Sequence, residues 1–226
     1  MNILAKCFFG LAFAGVSLFP ANGATVVFDN LTASGDAAHG VRDSQGVLVS
    51  GTTFQGAIGR FTISNTAIEA AFALGDTGAI SSGFQQFDAT PTGTFALYSF
   101  VPGAFQTTES FGTKASSNTW GGSIMYAVFY KGASISAATE LFIAQLNTTF
   151  PTDPEVGAAL NQFTSIRPST ITDMVVGTTG ASFDYGLGGG AQSTFQLAQV
   201  GAVPEPSRMM LVALGAMGVV VRRRRK

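Results

Sequence analysis

Between Thr25 and Val200 the chain is broken about every 10 to 15 residues by clusters of Gly, Ser, Thr, Asn and Asp, which leaves room for short strands and for few helices. The runs between these clusters are rich in β-branched and aromatic residues, which suit a pleated, half-buried surface. They predict strands over Thr25–Leu31, Gly46–Ser50, Ala57–Ile63, Ile68–Leu74, Thr94–Val101, Ser123–Lys131, Thr139–Leu146, Thr170–Val176, Ala181–Leu187 and Thr194–Val200, with Ile124–Tyr130 the clearest. Many short strands in series predict an all-β fold, a single β-sandwich or jelly-roll-like domain over residues 25–202. One short helix is expected as well. Thr152, Pro154 and Glu155 offer a cap, a first-turn proline and a capping-box acid, and Val156–Phe163 then places apolar residues at helical spacing.

The aromatic content points to a core rather than to a binding surface, because 20 phenylalanines stand against one tryptophan and four tyrosines. Phe28, Phe61, Phe72, Phe95, Phe129, Phe142, Phe183 and Phe195 each fall at the apolar position of an expected strand. Burying such a ring contributes about 1.5–3 kcal/mol. That contribution matters here because Cys7 is the only cysteine and lies in a segment expected to be removed. The mature chain then has no disulfide, no cysteine nucleophile and no thiolate metal site.

The two ends are expected to serve transport. Lys6, the apolar run Cys7–Phe19 and the small residues Ala21-Asn22-Gly23-Ala24 have the anatomy of a secretory signal, with cleavage after Gly23 or Ala24. An apolar run of 13 residues is too short to span a bilayer, which takes about 20. Between Thr25 and Ala202 five basic residues face twelve acidic ones, a net charge of −7. Nucleic acid is a poor partner for such a domain, since binding it requires Lys and Arg to neutralise phosphates.

Residues 203–226 read Val203-Pro204-Glu205-Pro206-Ser207-Arg208, then an uncharged run from Met209 to Val221, then Arg222-Arg223-Arg224-Arg225-Lys226. The paired prolines enforce an extended spacer. The apolar run makes a helix of about 20 Å, and the basic cluster holds its end in the cytoplasm, leaving the β-domain outside. This arrangement resembles the PEP-CTERM sorting domain of Gram-negative bacteria: Pro-Glu-Pro, a hydrophobic helix, an arginine cluster. Arg208 departs from the small or apolar residue usual after the prolines. The resemblance implies recognition and processing by an exosortase, an integral-membrane enzyme, with the inner membrane holding an intermediate. It also implies an association with exopolysaccharide or biofilm matrix.

No catalytic residue is assigned in the β-domain. His39, the only histidine, sits in a polar loop, and no G-x-S-x-G elbow accompanies it. Gly186-Leu187-Gly188-Gly189-Gly190-Ala191 matches a dinucleotide fingerprint in letters, but the residues after it read as a strand and not as a helix, so a flexible hairpin is expected. Asp29, Asp36 and Asp43 lie close enough in sequence to be weak candidates for a structural calcium site, against the alternative of acids that stabilise turns. Trp120 and Tyr126 are weak candidates for an aromatic sugar platform. No cofactor is otherwise expected. These features predict an exported surface or matrix protein with a non-catalytic structural or adhesive role. The alternative is a carbohydrate-binding or carbohydrate-active surface protein.

Overall fold

The strand expected to be clearest carries large apolar side chains on both of its faces, so both faces must be covered. A computed structural model describes residues 25–31, 38–49, 54–87, 103–104, 106–110, 120–150, 161–186 and 189–201, and it places that strand at the centre of a sheet. In chain order the elements are β1 (Thr25–Asp29), β2 (Val41–Arg42), β3 (Phe54–Phe61), α1 (Asn65–Ala73), α2 (Thr77–Gly83), β4 (Phe84–Gln86), β5 (Gln106–Ser110), β6 (Ile124–Lys131), β7 (Glu140–Thr149), β8 (Asn161–Ser165), β9 (Ile171–Val176), β10 (Thr178–Phe183), β11 (Gln192–Gln196) and β12 (Ala198–Gln199).

The main sheet runs β12-β7-β6-β3-β4, with β9 also on β7. Two smaller sheets, β5-β1-β8 and β10-β11-β2, pack against one face of it. On that face Met125, Ala127 and Phe129 of β6 and Phe142, Ala144 and Leu146 of β7 meet Phe28, Val41 and Phe195 from the smaller sheets. Phe129 stacks between Phe28 and Phe142, with ring centroids 6.1 and 5.6 Å away, and Phe142 meets Phe195 at 5.5 Å. The alternate residues Tyr126, Val128 and Tyr130 of β6 and Leu141 and Ile143 of β7 face a second core, closed by Ile68 and Ala71 of α1 and Ile80 of α2. The domain is thus an all-β sandwich with a helical layer on the outer face of its main sheet.

The helical layer corrects two expectations. Ile68–Leu74 is not a strand, since Asn65–Ala73 is α1. Ser64 caps it by accepting a hydrogen bond from the Ala67 N–H at 3.2 Å. Gly75, at φ +71°, ends it in a Schellman turn: the Gly75 N–H reaches the Phe72 carbonyl at 2.9 Å and the Asp76 N–H the Ala71 carbonyl at 2.8 Å. The helix expected over Thr152–Phe163 is overturned at its C-terminal end, where Asn161–Ser165 forms β8, parallel to β1. Its earlier part, 152–160, lies outside the described residues, as do the strand expected at Thr94–Val101 and Phe95 within it. Among the described residues the α-helices are α1 and α2, both short and neither foreseen in the sequence. The strand expected at Gly46–Ser50 is reduced to a single bridge from Leu48 to Arg42.

The hairpin β10–β11 leaves the main sheet at one point. Val176 of β9 pairs with Ile143, and Ala198 of β12 pairs with Leu141, so the two strands share one edge of β7 and part company opposite Phe142. Gly177, at φ +96°, makes the departure. A Cβ there would lie 2.5 Å from Phe142 Cδ2 and 2.7 Å from the Gln196 carbonyl oxygen, a space only glycine fits. Phe183, expected in the core, lies on this hairpin with 36% of its surface exposed.

Candidate functional site

The structure does not bring Trp120 and Tyr126 together as a platform: Trp120 lies in the turn before β6, closed by the Ser123 N–H to Trp120 carbonyl bond at 2.9 Å, and packs in one layer, while Tyr126 on β6 faces the other. Trp120 is half-buried against the sandwich core, with Phe87 and Phe150 at 5.5 and 4.9 Å and the Arg60 guanidinium 4.5 Å over its ring. Tyr126 belongs to the helix-facing core and is buried. An aromatic that stacks on sugar needs an open ring face, and each of these rings is engaged by the protein.

The acids proposed for calcium have separate local roles. Asp29 is buried, and its Oδ1 accepts the Leu31 N–H at 3.1 Å. Burial pushes its carboxyl above the ordinary range, against the opposing pull of the Ser165 hydroxyl, the Leu31 N–H and the Arg167 guanidinium. Arg167 in turn donates to the Leu31 carbonyl at 2.7 Å and the Ser165 hydroxyl at 2.9 Å. Asp43 Oδ1 accepts the N–H groups of Gln45 and Val47 at 3.0 and 2.9 Å, which is turn chemistry. Asp36 lies outside the described residues. Among the described residues no three of His, Cys, Asp and Glu gather as metal ligands would.

His39 is buried beside Phe195, 6.2 Å between centroids. Its Nδ1 lies 3.0 Å from the Ser193 carbonyl oxygen, which can only accept, so Nδ1 carries the hydrogen. Burial holds the imidazole below its ordinary pKa, with the Ser193 carbonyl pulling the other way and Arg167 adding to the depression. A folded-state value below the unfolded one means that the unfolded chain binds the proton more readily. The stability at stake is therefore full above pH ~6.5 and is lost as the pH falls below it. Asp29, with its raised carboxyl, works in the opposite direction at lower pH. The urea midpoint of the parent is expected to fall between pH 7.5 and 5.5, and the fall to shrink in His39→Gln. Equal pH slopes for the two proteins would show that His39 is not the group responsible.

The glycine-rich segment after β10 leads into β11 and not into a helix, as a hairpin requires; Gly186 and Gly190 adopt φ +68° and +69°.

One polar cluster was not foreseen in the sequence. Asn65, the first residue of α1, donates from Nδ2 to Gln145 Oε1 and to Asp173 Oδ2, both at 2.7 Å. The Tyr126 hydroxyl donates toward Asn65 Oδ1 at 2.8 Å and Gln145 Oε1 at 3.1 Å. Burial first, and then the nearby Asp173 charge, raises the Tyr126 pKa, so the phenol keeps its proton. Tyr126, Gln145 and Asp173 are direct cross-strand neighbours on β6, β7 and β9. Residues 65, 126, 145 and 173 carry no shared spacing or motif, and only strand register brings them together.

The sorting segment, with Val203, Pro204, Glu205, Pro206 and Arg222–Lys226, lies outside the described residues, as does the cleavage region at Gly23 and Ala24. No helix among the described residues is long and apolar enough to cross a membrane. Comparison with family models identifies a PEP-CTERM protein-sorting motif at residues 202–225. Neither a curated protein nor a solved structure matches the chain. The motif marks an exported protein that passes through a membrane-anchored intermediate and is processed by an exosortase during sorting.

Proposed function

We propose that this protein is a non-catalytic structural or adhesive component of the cell surface or extracellular matrix, delivered there by exosortase and associated with exopolysaccharide. The sorting motif at 202–225 carries this reading, since a tail that is read and processed at the membrane delivers its cargo outside the cell. Asp29, Asp43 and His39 support the non-catalytic part. His39 is bonded to a main-chain carbonyl, and Asp29 and Asp43 are bonded to main-chain N–H groups, so each serves the fold.

The test is fractionation of the full chain in a host with exosortase and in two derivatives, one lacking exosortase and one lacking polysaccharide synthesis. The processed form is expected in the matrix fraction of the parent host and in the culture medium of the polysaccharide-deficient host. In the exosortase-deficient host the protein should remain unprocessed at the membrane. Processed protein partitioning identically with and without polysaccharide would remove the matrix association.

A further inference from the structure

Helix α1 begins at Asn65, whose side chain is bonded to Tyr126, Gln145 and Asp173 of the sheet, and Ile68 and Ala71 further along it share a core with Val128 and Ile143, so the start of the helix forms a step on the sheet. Ile124, 45% exposed, precedes Tyr126 on β6 beyond an irregularity in the pairing with β7, where it stands opposite Thr149. At the foot of this step lies the row Tyr126, Gln145 and Asp173, tied to the helix by Asn65.

The internal bonds of the row fix its orientation and leave part of it unused. Gln145 Oε1 accepts from both Asn65 and Tyr126, which assigns the amide and leaves the Nε2 hydrogens without a partner among the described residues. Asp173 Oδ2 accepts from Asn65, and Oδ1 makes no hydrogen bond among the described residues. Both side chains are partly exposed. Directly opposed residues on neighbouring strands hold their Cβ atoms about 4.5–5.5 Å apart, so an amide donor and a carboxylate acceptor stand side by side, already oriented.

We propose that Gln145 and Asp173, held by Asn65 and Tyr126 at the step between α1 and the sheet, form a binding site for the vicinal hydroxyls of a neutral hexose polysaccharide. A hydroxyl both donates and accepts. One hydroxyl of the pair gives its proton to Asp173 Oδ1, and its neighbour accepts from Gln145 Nε2. Exposed Ile124 supplies an apolar contact for the C–H face of a sugar ring. The ligand is neutral because Asp173 and the net charge of −7 over residues 25–202 repel uronate, sulfate and phosphate groups. Ordering the row before the ligand arrives reduces the entropy cost of binding. The inference rests on the polysaccharide association proposed above and assigns it a place on the protein.

The test is calorimetric titration of the full chain, held in a detergent without sugar headgroups, with gluco-, manno- and galacto-configured neutral hexaoses and with polygalacturonate. At least one neutral hexaose is expected to bind, and polygalacturonate is not. Asp173→Asn and Gln145→Ala should each weaken binding about tenfold, close to 1.4 kcal/mol and so near the upper end of what one hydrogen bond contributes. Thermal unfolding of each variant, run alongside, should show a folded protein. Should either variant not fold, Ile124→Ser, exposed and outside the row, replaces it and should also weaken binding. The proposal is overturned if none of the neutral hexaoses binds, or if folded variants bind like the parent. Protein that still partitions to the matrix while binding no hexaose would lose this site and keep the function.

Discussion

Replacing Pro204, Glu205 and Pro206 together with alanine is expected to leave the protein at the inner membrane with its C-terminal segment uncut. Two prolines around one acid hold the backbone extended and keep it out of both helix and strand interior, which is the form a membrane enzyme can grip. Alanine removes that constraint and the carboxylate while leaving the apolar run Met209–Val221 and the Arg222–Lys226 cluster intact. Insertion and orientation depend on those two features and should survive. Deleting Arg222–Lys226 should act differently. Thirteen apolar residues make a helix of about 20 Å against a hydrocarbon core near 30 Å, and without the cluster that holds its end in the cytoplasm the segment is expected to slip through, releasing unprocessed protein. The mass of the C-terminal peptide in membrane and released fractions checks both outcomes. An alanine variant trimmed and released like the parent would reduce the motif to a spacer.

Phe142→Ala is expected to destabilise the domain by about 3–5 kcal/mol and to lower its melting temperature by about 6–20 °C. The ring is fully buried, stacks on Phe129, meets Phe195 at a tilt, and lies at the point where β9 and β12 part on the edge of β7. Gly177, the neighbour against this ring, has no side chain with which to fill the cavity. Folded domains have only about 5–15 kcal/mol in hand, so the loss is a large share. No disulfide offsets it, since Cys7 is the only cysteine. Phe183→Ala is the control. Phe183 touches Tyr185 and Arg42 but is 36% exposed, and its loss should cost about 1 kcal/mol or less. Similar melting shifts for the two variants would contradict the layered core.

The sequence by itself determined export by a sorting route and the class of fold. The sorting segment is a linear signal, legible because proline conformation, a hydrophobic run and a charge cluster act through residues adjacent in the chain. Strands β6 and β7 were legible for the same kind of reason. β6, with Ile124, Tyr126, Val128, Phe129 and Tyr130, is rich in β-branched and aromatic residues, and both strands carry apolar groups on both faces, as centrally buried strands do. Ile68–Leu74 shows where local reading divides. Ile68, Ala70, Phe72 and Leu74 alternate as a strand would, while Ile68, Ala71 and Phe72 also share a helical face. Four alanines between Ala67 and Ala73, with Ser64 as cap and Gly75 as stop, were the signal that favoured the helix.

Tertiary structure decided the rest, because the deciding contacts join residues far apart in the chain. Asn161–Ser165 became a strand by pairing in parallel with Thr25–Asp29, more than a hundred residues away, a partner that no window around Phe163 contains. Trp120 and Tyr126, near neighbours in sequence, were separated because the turn before β6 packs Trp120 into the sandwich core while Tyr126 on the strand faces the helical layer. The same register brought Gln145 and Asp173 side by side and set Asn65 over them. A strand's partner and its offset are collective properties of the sheet. A site built across strands therefore exists only once the sheet has formed, whereas a site built along the chain, like the sorting motif, is already present in the order of its residues.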